Sequence, residues 1–244
     1  MIINKVIKTF LVALSVLFIF FQITEFEYYA DISRTALFVL LTILFLKEKD
    51  CNCRFFLFFL VAFTLAQVIG LLSWYIVIDY ETTVDYFYYL SNGLYILSYV
   101  SLILQVISSM NVREVMSRFF IHIFILIVLD IFCVSIVTGT TQGVLNYTEY
   151  TIEFIYNTVI MVLLSVALIN FMYRDDKKAM NMLVASIFIV FSEIIQLAYF
   201  YIAEYKELNV ICSVFLVLAF VFFYLQARLQ HEEQIDFFEE HLKA

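Results

Sequence analysis

Runs of about twenty apolar residues recur along the whole of this 244-residue chain, and each can cross a hydrocarbon core of about 30 Å as a helix. Hydrophobic residues make up 64% of the sequence and the mean hydropathy is +0.97, well outside the range of soluble domains. The pattern is that of an all-α, polytopic integral membrane protein. Apolar runs between charged punctuation predict a bundle of eight transmembrane helices, roughly at 6–24, 32–46, 55–78, 86–108, 119–138, 150–173, 179–203 and 209–229. They form one transmembrane domain over 1–229, followed by a tail over 230–244. The second run is short for a span and either tilts less or begins earlier. Lys5 and Lys8 precede the first run as in a signal peptide, but no A-x-A cleavage pattern follows, so it counts as the first helix.

Lys and Arg residues orient the bundle, because cytoplasmic loops carry the excess of them. Lys5, Lys8, Lys47, Lys49, Arg54, Arg113, Arg118, Arg174, Lys177, Lys178, Arg228 and Lys243 fall on one side, which is 12 of the 14 basic residues. Arg34 and Lys206 fall on the other, among Glu25, Glu27, Asp31, Asp79, Glu81, Asp85, Glu149, Glu204 and Glu207. Both termini are therefore expected in the cytoplasm. Short connections make consecutive helices neighbours in an up-and-down bundle. The net charge of −8 argues against nucleic acid, which wants a basic surface.

Polar side chains inside the runs collect on single helical faces, as a bundle requires to hide them from lipid. Ser186, Glu193 and Gln196 share a stripe on the seventh predicted helix, and Glu153 and Asn157 are four apart on the sixth. The fourth carries Ser91, Tyr95, Ser98 and Gln105, with Asn92 beside them; the third has Thr64 and Gln67; the fifth has His122 and Asp130. Glu153, Asn157, Glu193, Gln196, Asn92, Tyr95 and Gln22 all fall in the outer halves of their helices, with Asp130 and Gln67 near the middle. Their convergence predicts a polar cavity that reaches the midplane and opens away from the cytoplasm. A carboxylate at the centre of a span costs about 2.5–3.5 kcal/mol on insertion scales, so Glu193 and Asp130 are functional candidates. The cost of Glu193 is offset by water, by partners such as Gln67, or by a neutral carboxyl. Single Ser, Thr, Asn and Gln residues also serve as interhelical glue worth about 0.6 kcal/mol each. His122 reads as interfacial, and Trp74 and the tyrosines near span ends as aromatic belts.

Cys133 and Cys212 lie in apolar runs as small buried hydrophobes, and Cys51 and Cys53 form a C-x-C in a short loop. Such near neighbours make a strained disulfide and lack further metal ligands nearby, so reduced thiols are expected. No metal and no cofactor is expected.

Three quoted stretches carry a family likeness. "EFIYNTVIMVLLSVALINF" begins at Glu153, "VASIFIVFSEIIQLAYFYI" holds Ser192 and Glu193, and "FLVLAFVFFYLQARLQ" closes the last run. From about residue 153 to 230 the chain resembles the YhhN-like lysoplasmalogenase family, eight-helix membrane proteins that hydrolyse the vinyl-ether bond of lysoplasmalogens. The resemblance implies that Ser192–Glu193 stands at the family's Ser-Asp motif. The family's Lys-Pro falls on Arg34–Thr35, its Gly-Asp on Ala66–Gln67, its histidine on Tyr99 and a preceding glycine on Ser91. Vinyl-ether hydrolysis calls for an acid to protonate the alkene carbon and a base to position water, which a pair of carboxyls set apart by environment provides. Glu193 alone survives of the family's two acids, so the implied catalytic residues are Glu193 with Asp130 as a substitute. Ser192, Gln196, Gln67, Asn92, Tyr95, Tyr99, Glu153 and Asn157 are the expected lining of a lipid site.

In the tail, Ile235, Phe238 and Leu242 make one apolar stripe, and Glu232, Glu233, Asp236, Glu239 and Glu240 cover the other faces. Helices that lie on membranes are rich in Lys and Arg, so this acidic one suits a protein partner better than a lipid surface. The expected function is that of a multi-pass protein of a bacterial inner (cytoplasmic) membrane. It would be catalytically degenerate, binding lipid or serving as an accessory subunit of a membrane complex through its tail. An active ether-lysolipid hydrolase using Glu193 is the first alternative, and a small transporter or sensor the last, because transporters use Gly- or Pro-broken helices and this chain has four glycines and no proline.

Overall fold

A computed structural model describes residues 2–47, 54–76 and 85–229. Among these residues the chain is helical, with nine helices: α1 (Ile2–Ile23), α2 (Glu27–Lys47), α3 (Arg54–Ser73), α4 (Tyr86–Ser108), α5 (Val112–Arg118), α6 (Phe120–Gly139), α7 (Tyr147–Arg174), α8 (Lys177–Tyr201) and α9 (Lys206–Arg228). Seven of them, α2, α3, α4, α6, α7, α8 and α9, are long and apolar enough to cross a membrane, and α1 adds the shorter apolar stretch Ile7–Ile23. The tail residues Ile235, Phe238 and Leu242, and the Cys51–Cys53 loop, lie outside the described residues.

Two boundaries differ from the sequence expectation for physical reasons. Helix α2 starts at Glu27, several residues before the apolar run, because its polar residues pair with each other. Arg34 Nη2 meets Asp31 Oδ1 at 2.9 Å, one turn away, so the helix carries both charges without breaking. Helix α3 ends at Ser73, short of the apolar Tyr75–Ile76, where the backbone tightens into a turn and the Trp74 indole donates to Asp31 Oδ2 at 2.8 Å. The short α5 was not foreseen, since seven residues give too little periodicity to read.

Capping fixes the α6–α7–α8 junctions. Asn146 Oδ1 accepts from the amides of Thr148 and Glu149, while Glu149 Oε2 accepts from the Asn146 amide, forming a capping box that starts α7. Asp175, in the left-handed region at φ 50°, ends α7, and Asp176 opens α8 by accepting from the Ala179 amide at 2.7 Å.

Helices α1, α2, α3 and α4 pack in sequence, but α4 then packs on α7, and α7, α8, α9 and α1 close a ring. Helix α6 stands outside the ring against α7, with Phe120, Ile121, Phe124, Ile131 and Phe132 all mostly exposed. The ring is filled by aromatic side chains. Phe38, Phe59, Phe63, Tyr99, Phe220 and Phe223 are buried against one another, with Leu163 and Ile189 behind them. Charge divides the two ends. Lys8 and Arg228 lie over Tyr224 at one end, with Arg54, Arg174 and Lys178; at the other, Lys206 meets Glu25 at 3.6 Å among Glu27, Glu204 and Glu207. These are called the basic and acidic ends below.

Candidate functional site

Three helical stripes converge towards the acidic end. On α4, Tyr88, Asn92 and Tyr95 follow one another at spacings of four and three, with Tyr99 one turn deeper; on α7, Glu153 and Tyr156 are three apart; on α8, Glu193, Gln196, Leu197, Phe200 and Tyr201 cover one side. Apart from Tyr99, these ten residues line a cavity of about 340 Å³. It runs from Tyr88 and Tyr201, near the helix ends, inward to Glu193.

Hydrogen bonds set its floor. The Tyr99 hydroxyl, fully buried, donates to Glu193 Oε1 at 3.1 Å, and the buried Tyr156 stands beside the same carboxyl. Arg34 on α2 is paired with Asp31 and does not line this cavity. Glu153, also buried, accepts from Asn157 Nδ2 at 3.3 Å. The cavity thus holds two carboxyls within a wall of four tyrosines and a phenylalanine.

Five of the residues named from sequence meet here: Glu193, Gln196, Asn92, Tyr95 and Glu153. Tyr99 supports the floor from behind. Asn157 stands outside the cavity, joining Glu153 to Thr138 on α6 through a second bond at 3.2 Å. Ser192 turns to α9, donating to the Cys212 carbonyl at 2.8 Å. Gln67 is buried on α3, with Oε1 lacking a partner among the described residues, and Gln22 accepts from Asn209 Nδ2 at 3.0 Å between α1 and α9. Neither Gln67 nor Gln22 lines the cavity.

Asp130 departs furthest from its expected place as a catalytic partner of Glu193. It lies on the outlying α6, half-buried, and accepts from the Ser165 hydroxyl at 2.9 and 2.8 Å on its two oxygens. The helix that carries it packs on α7 outside the ring, and Asp130 is not among the residues that line the cavity with Glu193. Its chemistry is that of an anchor, holding a helix that otherwise faces outward. Ser165→Ala removes the hydroxyl that donates to this partly buried carboxyl, and is expected to cost about 1–3 kcal/mol of stability. Ligand binding at the acidic-end cavity should be unchanged, which thermal unfolding and a binding titration on one preparation would check.

Tyr88, Tyr156, Phe200 and Tyr201 were missed as site residues because aromatics near span ends read as interfacial belts. For three of them the signal was present: Tyr88, Tyr156 and Phe200 each lie three or four residues from a polar member of a stripe, so extending the stripes to aromatic residues would have found them. Among the described residues, no three His, Cys, Asp or Glu side chains are grouped to hold a metal, and Cys133 and Cys212 are free thiols. Comparison with protein-family models, with curated proteins and with solved structures finds no match to this chain.

Proposed function

We propose that this chain is an eight-pass protein of a bacterial inner membrane, with both termini in the cytoplasm and a lysoplasmalogenase-like fold. Its outward-opening cavity binds the head of an amine-bearing single-chain lipid without hydrolysing it. The observation that carries the reading is the pairing of Glu193 and Glu153 with Tyr88, Tyr95, Tyr156, Tyr201 and Phe200 around one space. Ammonium groups are held by aromatic faces backed by negative charge, each contact contributing about 0.5–2 kcal/mol according to desolvation. An acyl or alkenyl chain attached to such a head would leave between the helices into lipid. The excess of Lys and Arg at the basic end supports the proposed orientation. Association with protein partners through the acidic tail belongs to the same reading.

Hydrolysis is the second reading, and one observation favours it: the cavity carries two carboxyls, with Glu153 in the place expected of Asp130. One would protonate the vinyl carbon, water would add to the oxygen-bearing carbon, and the hemiacetal would break down to an aldehyde and a glycerol hydroxyl. One experiment separates the two. Purified protein is incubated with choline-headed and glycerol-headed lysolipids, and with a choline lysoplasmalogen; retained lipid is read by native mass spectrometry and aldehyde is assayed. Binding predicts preferential retention of the choline heads with no aldehyde. Aldehyde release that depends on Glu153 would establish hydrolysis, and equal retention of all heads without aldehyde would refute both.

A further inference from the structure

A second cavity, of about 570 Å³, opens at the basic end between α3, α4, α7, α8 and α9, with the aromatic core between it and Glu193. Among the described residues its charged lining is Arg54 from the first turn of α3 and Lys178 from the first turn of α8. Both helices also turn their N-terminal ends, with their positive dipole, towards this end of the molecule. No carboxyl lines the cavity among the described residues. Asp176, the acid nearest Lys178 in the chain, is committed to capping α8 through the Ala179 amide.

The polar lining is built and not incidental. Gln105 and Ser108 come from the end of α4, Asn170 from α7 and Gln226 from α9. Asn170 and Gln226 are each only 2% exposed. Asn170 is oriented by the Ser109 hydroxyl, which donates to its Oδ1 at 3.2 Å. Gln105 Nε2 donates to Gln226 Oε1 at 3.5 Å, so the Gln226 amide is turned with its Nε2 spare, and that buried donor has no acceptor among the described residues. Arg174 adds a third cation at the rim and neutralises the end of α4 by donating to the Ser109 carbonyl. A buried donor left unpaired costs free energy, and that cost falls if the cavity receives an anion with several acceptor oxygens. Arg54, exposed, and Lys178, half-buried, stand at the same cavity and would attract that anion.

We propose that this cavity binds a phosphate group, with Arg54 and Lys178 supplying charge and Gln226 donating from the wall. Basic pockets between membrane helices take phospholipid heads, and the volume also admits a small soluble phosphomonoester. The two sources share one recognition chemistry.

The test uses the full chain. Delipidated protein in detergent is titrated with glycerol 3-phosphate, and protein in nanodiscs is compared for retention of phosphatidate against phosphatidylcholine. Arg54→Gln, Lys178→Gln and Gln226→Leu are each expected to weaken phosphate binding about tenfold. Arg54→Lys should keep most of it, and Arg113→Gln, on α5 outside the cavity lining, should change nothing. The loss in Gln226→Leu, which alters no charge, separates a built site from general attraction to the basic end. Should Gln226→Leu unfold, Gln226→Glu provides the same test by repulsion. Binding of glycerol 3-phosphate assigns a soluble ligand; phosphatidate selection in nanodiscs alone assigns a lipid head. Failure to select phosphatidate over phosphatidylcholine, with no heat from glycerol 3-phosphate, overturns the proposal. So does binding by the Gln and Leu variants equal to that of the unaltered protein.

Discussion

Glu193→Gln is expected to lower retention of a choline-headed lysolipid about tenfold or more, while leaving the unfolding midpoint unchanged. The amide keeps an oxygen where Tyr99 donates, so the bond at 3.1 Å survives the substitution and the helices stay in register. Only the negative charge is lost. At a partly buried position that charge faces fewer competing waters, and a desolvated ammonium held by aromatic faces and a counter-charge is worth about 2 kcal/mol, or roughly thirtyfold in affinity. Glu153→Gln should have the smaller effect, since its carboxyl already accepts from Asn157. Titration of the two variants and the unaltered protein in one detergent gives the comparison. Equal affinities across all three would refute the role of the acidic pair in binding.

The largest expected loss of stability is in Phe59→Ala, at about 3–5 kcal/mol. Phe59 is fully buried, stacked on Phe220 with ring centroids 5.4 Å apart and set edge-on to Phe223 at 5.3 Å. It joins α3 to α9 across the ring, so its removal leaves a void bordered by two helices. Lipid tails are as apolar as the core, and a membrane helix bundle therefore depends on close packing more than on exclusion of water. Phe132→Ala on α6 makes the contrast: that ring is 61% exposed, faces outward, and its loss should shift the unfolding midpoint little. Thermal unfolding of both variants in the same detergent decides the matter, and similar losses for the two would mean that the aromatic core does not hold the ring together.

Much of the helical layout is legible in the residues alone. The limits of α4 follow from Asp85 and the polar end at Ser108, and α6 to α9 lie within a few residues of the apolar runs, because a span must be apolar over a fixed length. The asymmetry of Lys and Arg is equally visible, and it reappears as two oppositely charged ends. Stripes at spacings of three and four placed Asn92, Tyr95, Glu153, Glu193 and Gln196 on faces that do meet.

What the stripes could not show is which face meets which. Asp130 and Glu153 are both intramembrane acids on a helical stripe, and nothing local distinguishes them. Glu153 borders the cavity and Asp130 does not because α4 packs on α7 and leaves α6 outside, a choice made by the fit of side chains between helices far apart in the chain. The same packing turned Ser192 to the α9 backbone and Glu193, its neighbour, to Tyr99, since adjacent helical residues point about 100° apart. Periodicity within one helix is a local property and can be read from the chain. The partner of each face is a property of the whole bundle, settled only when all the helices compete for the same interior.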